Sequence, residues 1–120
     1  MKATFCEVKG FTEALADYLP DRSFAEVQQE LMENPDAGDV MPGCGGLRKF
    51  RVPDSRRRKG KRGGARIIYL YIPRARRFYL LDIYSKDEKA DLAPNEKKYL
   101  RQLAENLKEV ATREFQDPGE

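Results

Sequence analysis

A chain of 120 residues, 40% hydrophobic and 36% charged, can fill one core and is too short for two comfortable domains. It has no histidine, which excludes Ser-His and Cys-His nucleophile pairs and the usual zinc sites. The net charge of +3 hides two opposed regions, acidic from Glu7 to Asp39 and basic from Arg48 to Arg66. No apolar run reaches the roughly 18 residues of a membrane span, and Met1 to Phe5 lacks the basic-then-apolar plan of a signal peptide. The expectation is a cytoplasmic protein with no membrane partner, in which Cys6 and Cys44 stay reduced.

Thr4 to Val8 reads as a short edge strand. Phe11, Leu15 and Tyr18 recur at helical spacing and predict a brief helix that Pro20 ends. Ser23 and Glu26 form a capping box that opens a second helix, with Phe24, Val27 and Leu31 on its apolar stripe and Asn34-Pro35 as its stop. From Asp36 to Gly46 the chain is turn material, rich in glycine. Leu47 to Val52 alternates, placing Lys49 and Arg51 on one face and Phe50 and Val52 on the other. Asp54 to Gly64 is a glycine-rich basic loop. Arg66 to Ile72 is apolar on both faces, as a central strand should be. A turn over Pro73 to Arg76 leads to a third strand, Phe78 to Tyr84. Pro94 suits the first turn of a final helix, with Leu100, Leu103, Leu107 and Val110 as its buried stripe. The reading is one α+β domain over residues 1–114, with a frayed tail over 115–120.

The basic region carries the chemistry. Arg48, Lys49, Arg51, Arg56, Arg57, Arg58, Lys59, Lys61, Arg62 and Arg66 face one acid, Asp54, and such a cluster displaces the counterions of a polyanion. If the strands on either side of the loop pair as a hairpin, Arg66 joins Lys49 and Arg51 on one sheet surface. Tyr84, Lys86 and Lys89, at the end of the last strand, complete the set. Clustered cations there can offset charge building on a phosphate, and a tyrosine ring can stack on an RNA base. Blander readings stand beside these. The run from Arg56 to Arg62 also fits a solvated loop, and Lys49 and Arg51 also fit the exposed face of an edge strand. Tyr69, Tyr71 and Tyr79 read as core or sheet-face residues. Gly43-Cys44-Gly45-Gly46 lacks the Gly-Lys-Ser/Thr of a phosphate loop and reads as a turn.

Several blocks, in order, resemble the RelE superfamily of type II toxins, and within it the HigB-like branch. They are Glu30 to Val40, Gly43-Cys44-Gly45-Gly46-Leu47-Arg48-Lys49, Gly60 to Tyr69, and Tyr79 to Leu92. The resemblance implies a RelE-like fold: a small, mainly antiparallel sheet made of an N-terminal edge strand and a three-stranded meander. Two N-terminal helices and a C-terminal helix would flank it. It implies a ribosome-dependent endoribonuclease that cuts mRNA, in which the 2′-hydroxyl attacks the adjacent phosphate without metal or cofactor. A cognate antitoxin with a helix-turn-helix domain would block it, and operator DNA would be reached only through that antitoxin.

On the matching positions, Lys49 and Arg51 would grip phosphates and Arg66 would stabilise the phosphorane. Lys86 would act near the scissile group, and Tyr84 would stack on or orient a base, with Lys89 in support. Arg48 and the cations from Arg56 to Arg62 would contact RNA, including ribosomal RNA. An unperturbed lysine titrates near pH 10.4, so phosphate neutralisation is the main role expected of these lysines. The alternative is a non-catalytic nucleic-acid-binding or regulatory module that uses the same basic face.

Overall fold

The computed structural model describes residues 2–53 and 64–114. In chain order its elements are β1 (Thr4–Glu7), α1 (Lys9–Leu15), α2 (Asp21–Glu33), β2 (Asp39–Val40), β3 (Arg48–Val52), β4 (Ala65–Ile72), β5 (Arg77–Ser85) and α3 (Pro94–Glu114). The strands form one sheet in the order β1-β5-β4-β3-β2. β1 runs parallel to β5, and every other pair is antiparallel. β4 is central because Ile67 and Ile68 point to opposite faces and both need cover; each is fully buried. Burying a side chain of that size contributes about 1.5–3 kcal/mol.

Each face of the sheet has its own core. On one side Phe11, Val27 and Leu31 of α1 and α2 meet Phe50, Ile67, Tyr69, Phe78 and Leu80. On the other, Leu100 and Ala104 of α3 meet Ile68, Leu70, Tyr79, Leu81 and Tyr84. The register of β4 against β5 shifts between Ile68, opposite Asp82, and Tyr69, opposite Leu80. Leu81 is therefore an extra residue, a β-bulge. Strict alternation from Phe78 and Leu80 would send Tyr84 to the α1/α2 side. The bulge reverses the end of β5 and puts Tyr84 on the α3 side.

Four local expectations are corrected. α2 begins at Asp21, with Pro20 as its N-cap and no side-chain capping bond, so Ser23 lies inside the first turn and no capping box forms. The fixed backbone of Pro20 and the acid of Asp21 at the positive helix end do that work. α1 spans Lys9–Leu15, and Tyr18 follows in a turn, buried nonetheless. In α3 Val110 is 37% exposed, while Ala104 and Ala111 are buried; small side chains let the helix lie close to the sheet. Finally, the stretch read as turn contains β2, which covers the outer edge of β3 at Arg48 and Lys49.

The turn after β2 needs its glycines, since Gly43, Gly45 and Gly46 all have positive φ. Gly38 is required for a different reason. A Cβ there would stand 2.8 Å from the Lys49 carbonyl oxygen. Its amide instead donates to the Tyr69 hydroxyl at 3.1 Å, and that hydroxyl donates to the Pro35 carbonyl at 2.8 Å. This pair of bonds fastens the end of α2 beneath the sheet.

Candidate nucleic-acid interface

Strand register assembles the site. Arg51 pairs with Arg66, and Arg66 pairs with Tyr84, so the three form one row across β3, β4 and β5. The next row is Lys49, Ile68 and Asp82. Because neighbours on paired strands share a face, Lys49, Arg51, Arg66 and Tyr84 lie on the α3 side, at one end of the sheet. Lys86 follows the end of β5, is exposed, and donates its backbone amide to the Gly64 carbonyl at 3.1 Å.

The environments differ sharply along these rows. Arg66 is 6% exposed, and its Nη1 donates to the Ala65 carbonyl at 3.3 Å. Burial, then the neighbouring Arg51 charge, pushes its pKa down, although a guanidinium stays charged regardless. Arg51 is more than half exposed, with the Asp39 carboxylate at 4.0 Å. The Lys49 ammonium donates to Asp91 Oδ1 at 3.1 Å, and Lys97 of α3 donates to Asp91 Oδ2 at 2.8 Å. Those contacts hold the Asp91 carboxyl far below the usual carboxylate range, with Lys97 the largest cause. Lys49, Arg51, Asp91 and Lys97 line a notch of about 150 Å³, with Met41 and Cys44 at its wall.

Tyr84 is only 3% exposed, and its hydroxyl is buried without a hydrogen-bond partner among the described residues. Burial, then the Asp91 charge, raises its pKa. The Lys89 ammonium sits 5.2 Å from the ring centroid and donates to Glu96 Oε2 at 2.6 Å. The Tyr84 ring therefore has no open face for a base, contrary to the stacking expectation. The hydroxyl is likewise sealed from solvent, and a ligand reaches it only when the side chains over it move.

Arg48 also departs from expectation. It lies on the opposite face from Lys49, and its Nη1 donates to the Gly38 carbonyl at 2.7 Å. With Asp36 3.5 Å from its other nitrogen, it braces the turn after α2. Arg56, Arg57, Arg58, Lys59, Lys61 and Arg62 lie outside the described residues.

Sequence reading missed Asp91 and Lys97. Asp91 sits inside a block that resembles the toxin family, but nothing in its spacing points at Lys49. Lys97 reads as one more charge on the outer face of α3. Also missed was the anchoring of the turn that carries Lys86. Glu88 there accepts a hydrogen bond from the Tyr18 hydroxyl, and its Oε1 accepts from the Ser85 amide at 3.3 Å. The Asp87 amide donates to Ser85 Oγ at 3.1 Å. Among the described residues no three carboxylates or thiols converge as a metal-ligand set, and no helix is long and apolar enough to cross a membrane.

Comparison with known proteins gives a consistent picture. Residues 11–118 match the family model described as the RelE toxin of the RelE/RelB toxin-antitoxin system. A free-state variant of the E. coli toxin RelE superposes with a TM-score of 0.53 at 13% identity, over 75% of this chain and 90% of that one. A chain of the archaeal RelE–RelB complex from Pyrococcus horikoshii OT3 gives 0.50 at 21% identity, over 72% of this chain and 97% of that one. Both share the mixed α+β fold: a small sheet flanked by helices.

Proposed function

We propose, from the premise that this chain belongs to the RelE toxin family, that it is a HigB-like, cytoplasmic endoribonuclease that cuts mRNA on the translating ribosome. The observation that carries the reading is the row Arg51–Arg66–Tyr84 with Lys49 beside it. Two partly open cations on β3 stand beside a buried one on β4, on paired strands and on one face.

The reaction suited to such a face needs no nucleophile from the protein. The RNA 2′-oxygen forms a bond to the adjacent phosphorus and loses its proton. The bond from phosphorus to the 5′-oxygen breaks, and that oxygen takes up a proton. The products are a 2′,3′-cyclic phosphate and a 5′-hydroxyl. Negative charge grows on the non-bridging oxygens in between, and fixed cations stabilise that state more than the starting one. In this reading Lys49 and Arg51 hold the backbone. Arg66, immobilised by burial, meets the developing phosphorane. Lys86 stands nearest the departing 5′-oxygen. Tyr84 contributes its hydroxyl as a donor, and Lys89 supports the ring. The antitoxin partner carries a helix-turn-helix domain and brings the pair to operator DNA, and the cations from Arg56 to Arg62 meet ribosomal RNA. No metal or other cofactor takes part.

Induced expression tests this. Growth arrest with cleavage inside translated codons is expected. Arg66→Ala and Lys86→Ala should each lower cleavage by about 100-fold or more, with the far-UV circular dichroism of the folded chain retained. Intact transcripts would reject the nuclease in favour of a binding module. Full activity in both variants would reject the site.

A further inference from the structure

Asp91 is an odd neighbour for a surface meant to hold phosphate. Its two oxygens are divided between two ammonium groups, Lys49 Nζ at 3.1 Å on Oδ1 and Lys97 Nζ at 2.8 Å on Oδ2. A phosphodiester offers the same pattern, two non-bridging oxygens sharing one negative charge. Lys49 reaches this point from the sheet and Lys97 from α3. Asp91 comes from the irregular connection between β5 and α3, where no strand or helix ladder holds its backbone.

From this geometry we infer that the Asp91 carboxylate occupies an RNA phosphate subsite formed by Lys49 and Lys97, and that a backbone phosphate replaces it when RNA binds. The subsite extends the proposed nuclease face, and so rests on that reading, but it adds a helix residue that the strand rows do not contain.

Further observations agree. The ion pairs are half-exposed, with side-chain exposures of 25% for Lys49, 48% for Asp91 and 40% for Lys97, and pairs of that kind hold weakly enough to be exchanged. The Asp91 carboxyl is held far below its ordinary pKa, so it is an anion wherever the protein works and a fair stand-in for phosphate. The notch beside these side chains gives the incoming strand a place to lie.

Binding of a single-stranded RNA oligomer to the full chain, titrated with NaCl, tests the subsite. Removing the competing carboxylate raises the positive charge at the subsite by one, equivalent to one further phosphate neutralised, and each such charge on a single strand contributes about 0.7 to the log–log salt slope. Asp91→Asn should therefore bind about fivefold tighter at 0.1 M salt, with a slope steeper by about 0.7. Lys97→Gln should bind about fivefold more weakly, with a correspondingly shallower slope. The double variant should lose the gain of Asp91→Asn. The asparagine side chain keeps an oxygen for the Leu92 amide, which Asp91 Oδ1 now accepts at 2.8 Å, and thermal unfolding of each variant checks that it is folded.

Weaker RNA binding by folded Asp91→Asn overturns the inference, because Asp91 would then be orienting the lysines. Unchanged slopes in both single variants overturn it too. A tighter antitoxin complex at unchanged RNA affinity would also overturn it, since the subsite would then serve a protein carboxylate. Wild-type chain that binds RNA but leaves translated messages intact would refute the nuclease and not the subsite.

Discussion

Two tyrosines on adjacent central strands are buried equally well and treated in opposite ways. Tyr69 of β4 faces α1 and α2, and its hydroxyl both accepts from the Gly38 amide and donates to the Pro35 carbonyl. Tyr84 of β5 faces α3, and among the described residues its hydroxyl has neither kind of partner. A buried polar group left unpaired costs free energy, so the first face looks built for stability and the second for something else. The charges repeat the contrast. Arg48, on the Tyr69 side, spends its donors on the Gly38 carbonyl and on Asp36. Lys49 and Lys97, on the Tyr84 side, share one exchangeable carboxylate.

The largest effect should come from breaking the satisfied tyrosine. Tyr69→Phe strips a partner from a buried backbone donor, and that loss costs about 1–3 kcal/mol. For a domain of this size each kcal/mol lowers Tm by about 4 °C. Cleavage per folded molecule should be unchanged, because Tyr69 lies across the sheet from the cations. Urea unfolding together with a cleavage assay on the same preparation checks both halves. A variant as stable as wild type would mean that the Gly38 amide finds another acceptor.

Tyr84→Phe should do the reverse. The ring still fills its place and still receives the Lys89 charge, and no hydrogen bond within the fold is lost. Stability should stay within about 0.5 kcal/mol of wild type or rise. Cleavage should fall by about tenfold, the scale of one lost hydrogen bond to a charged group. If cleavage is untouched, Tyr84 is a core residue like Tyr69 and the contrast between the faces fails at this point.

Much of this was legible in the chain. The alternation of Leu47 to Val52 separates Lys49 and Arg51 from Phe50 and Val52, and the doubly apolar β4 declares itself central. Tyr84 was legible as a residue but not in its setting. A bulge is one inserted residue with no sequence mark of its own here, yet it decides which face Tyr84 joins. α3 then buries the ring, through contacts distant in sequence. Charge density groups Arg48 with the RNA contacts because it says nothing about which way a strand residue points. Lys97 is illegible for the related reason that an outward helix charge looks the same whether or not a strand lysine stands opposite. Helix and strand periods are local. The pairing of Lys97 with Lys49 through Asp91 depends on how α3 settles on the sheet.

The smallest effect falls on Asp82, which the same bulge places towards α3. Its carboxyl accepts from its own Ile83 amide at 2.9 Å, and burial raises its pKa above the ordinary value. The ionised form is thus disfavoured by folding. The protonated form contributes stability that is fully present below the unfolded pKa, near 3.9, and is lost as pH rises through the raised folded value. Above that raised value the wild type carries the penalty of the buried charge. Asp82→Asn removes the charge and keeps an oxygen for the Ile83 amide, so it should be more stable at pH 7 by up to about 1 kcal/mol. The advantage should shrink as pH falls towards 4 and vanish below it, because Asp82 is then neutral as well. Thermal unfolding of both proteins across that range reads the difference directly. A constant offset at every pH would place its origin in packing. A loss of stability at pH 7 would mean that the α3 face holds the Asp82 charge by design, as it holds Asp91, and that its ionised groups are kept by their neighbours more firmly than burial alone allows.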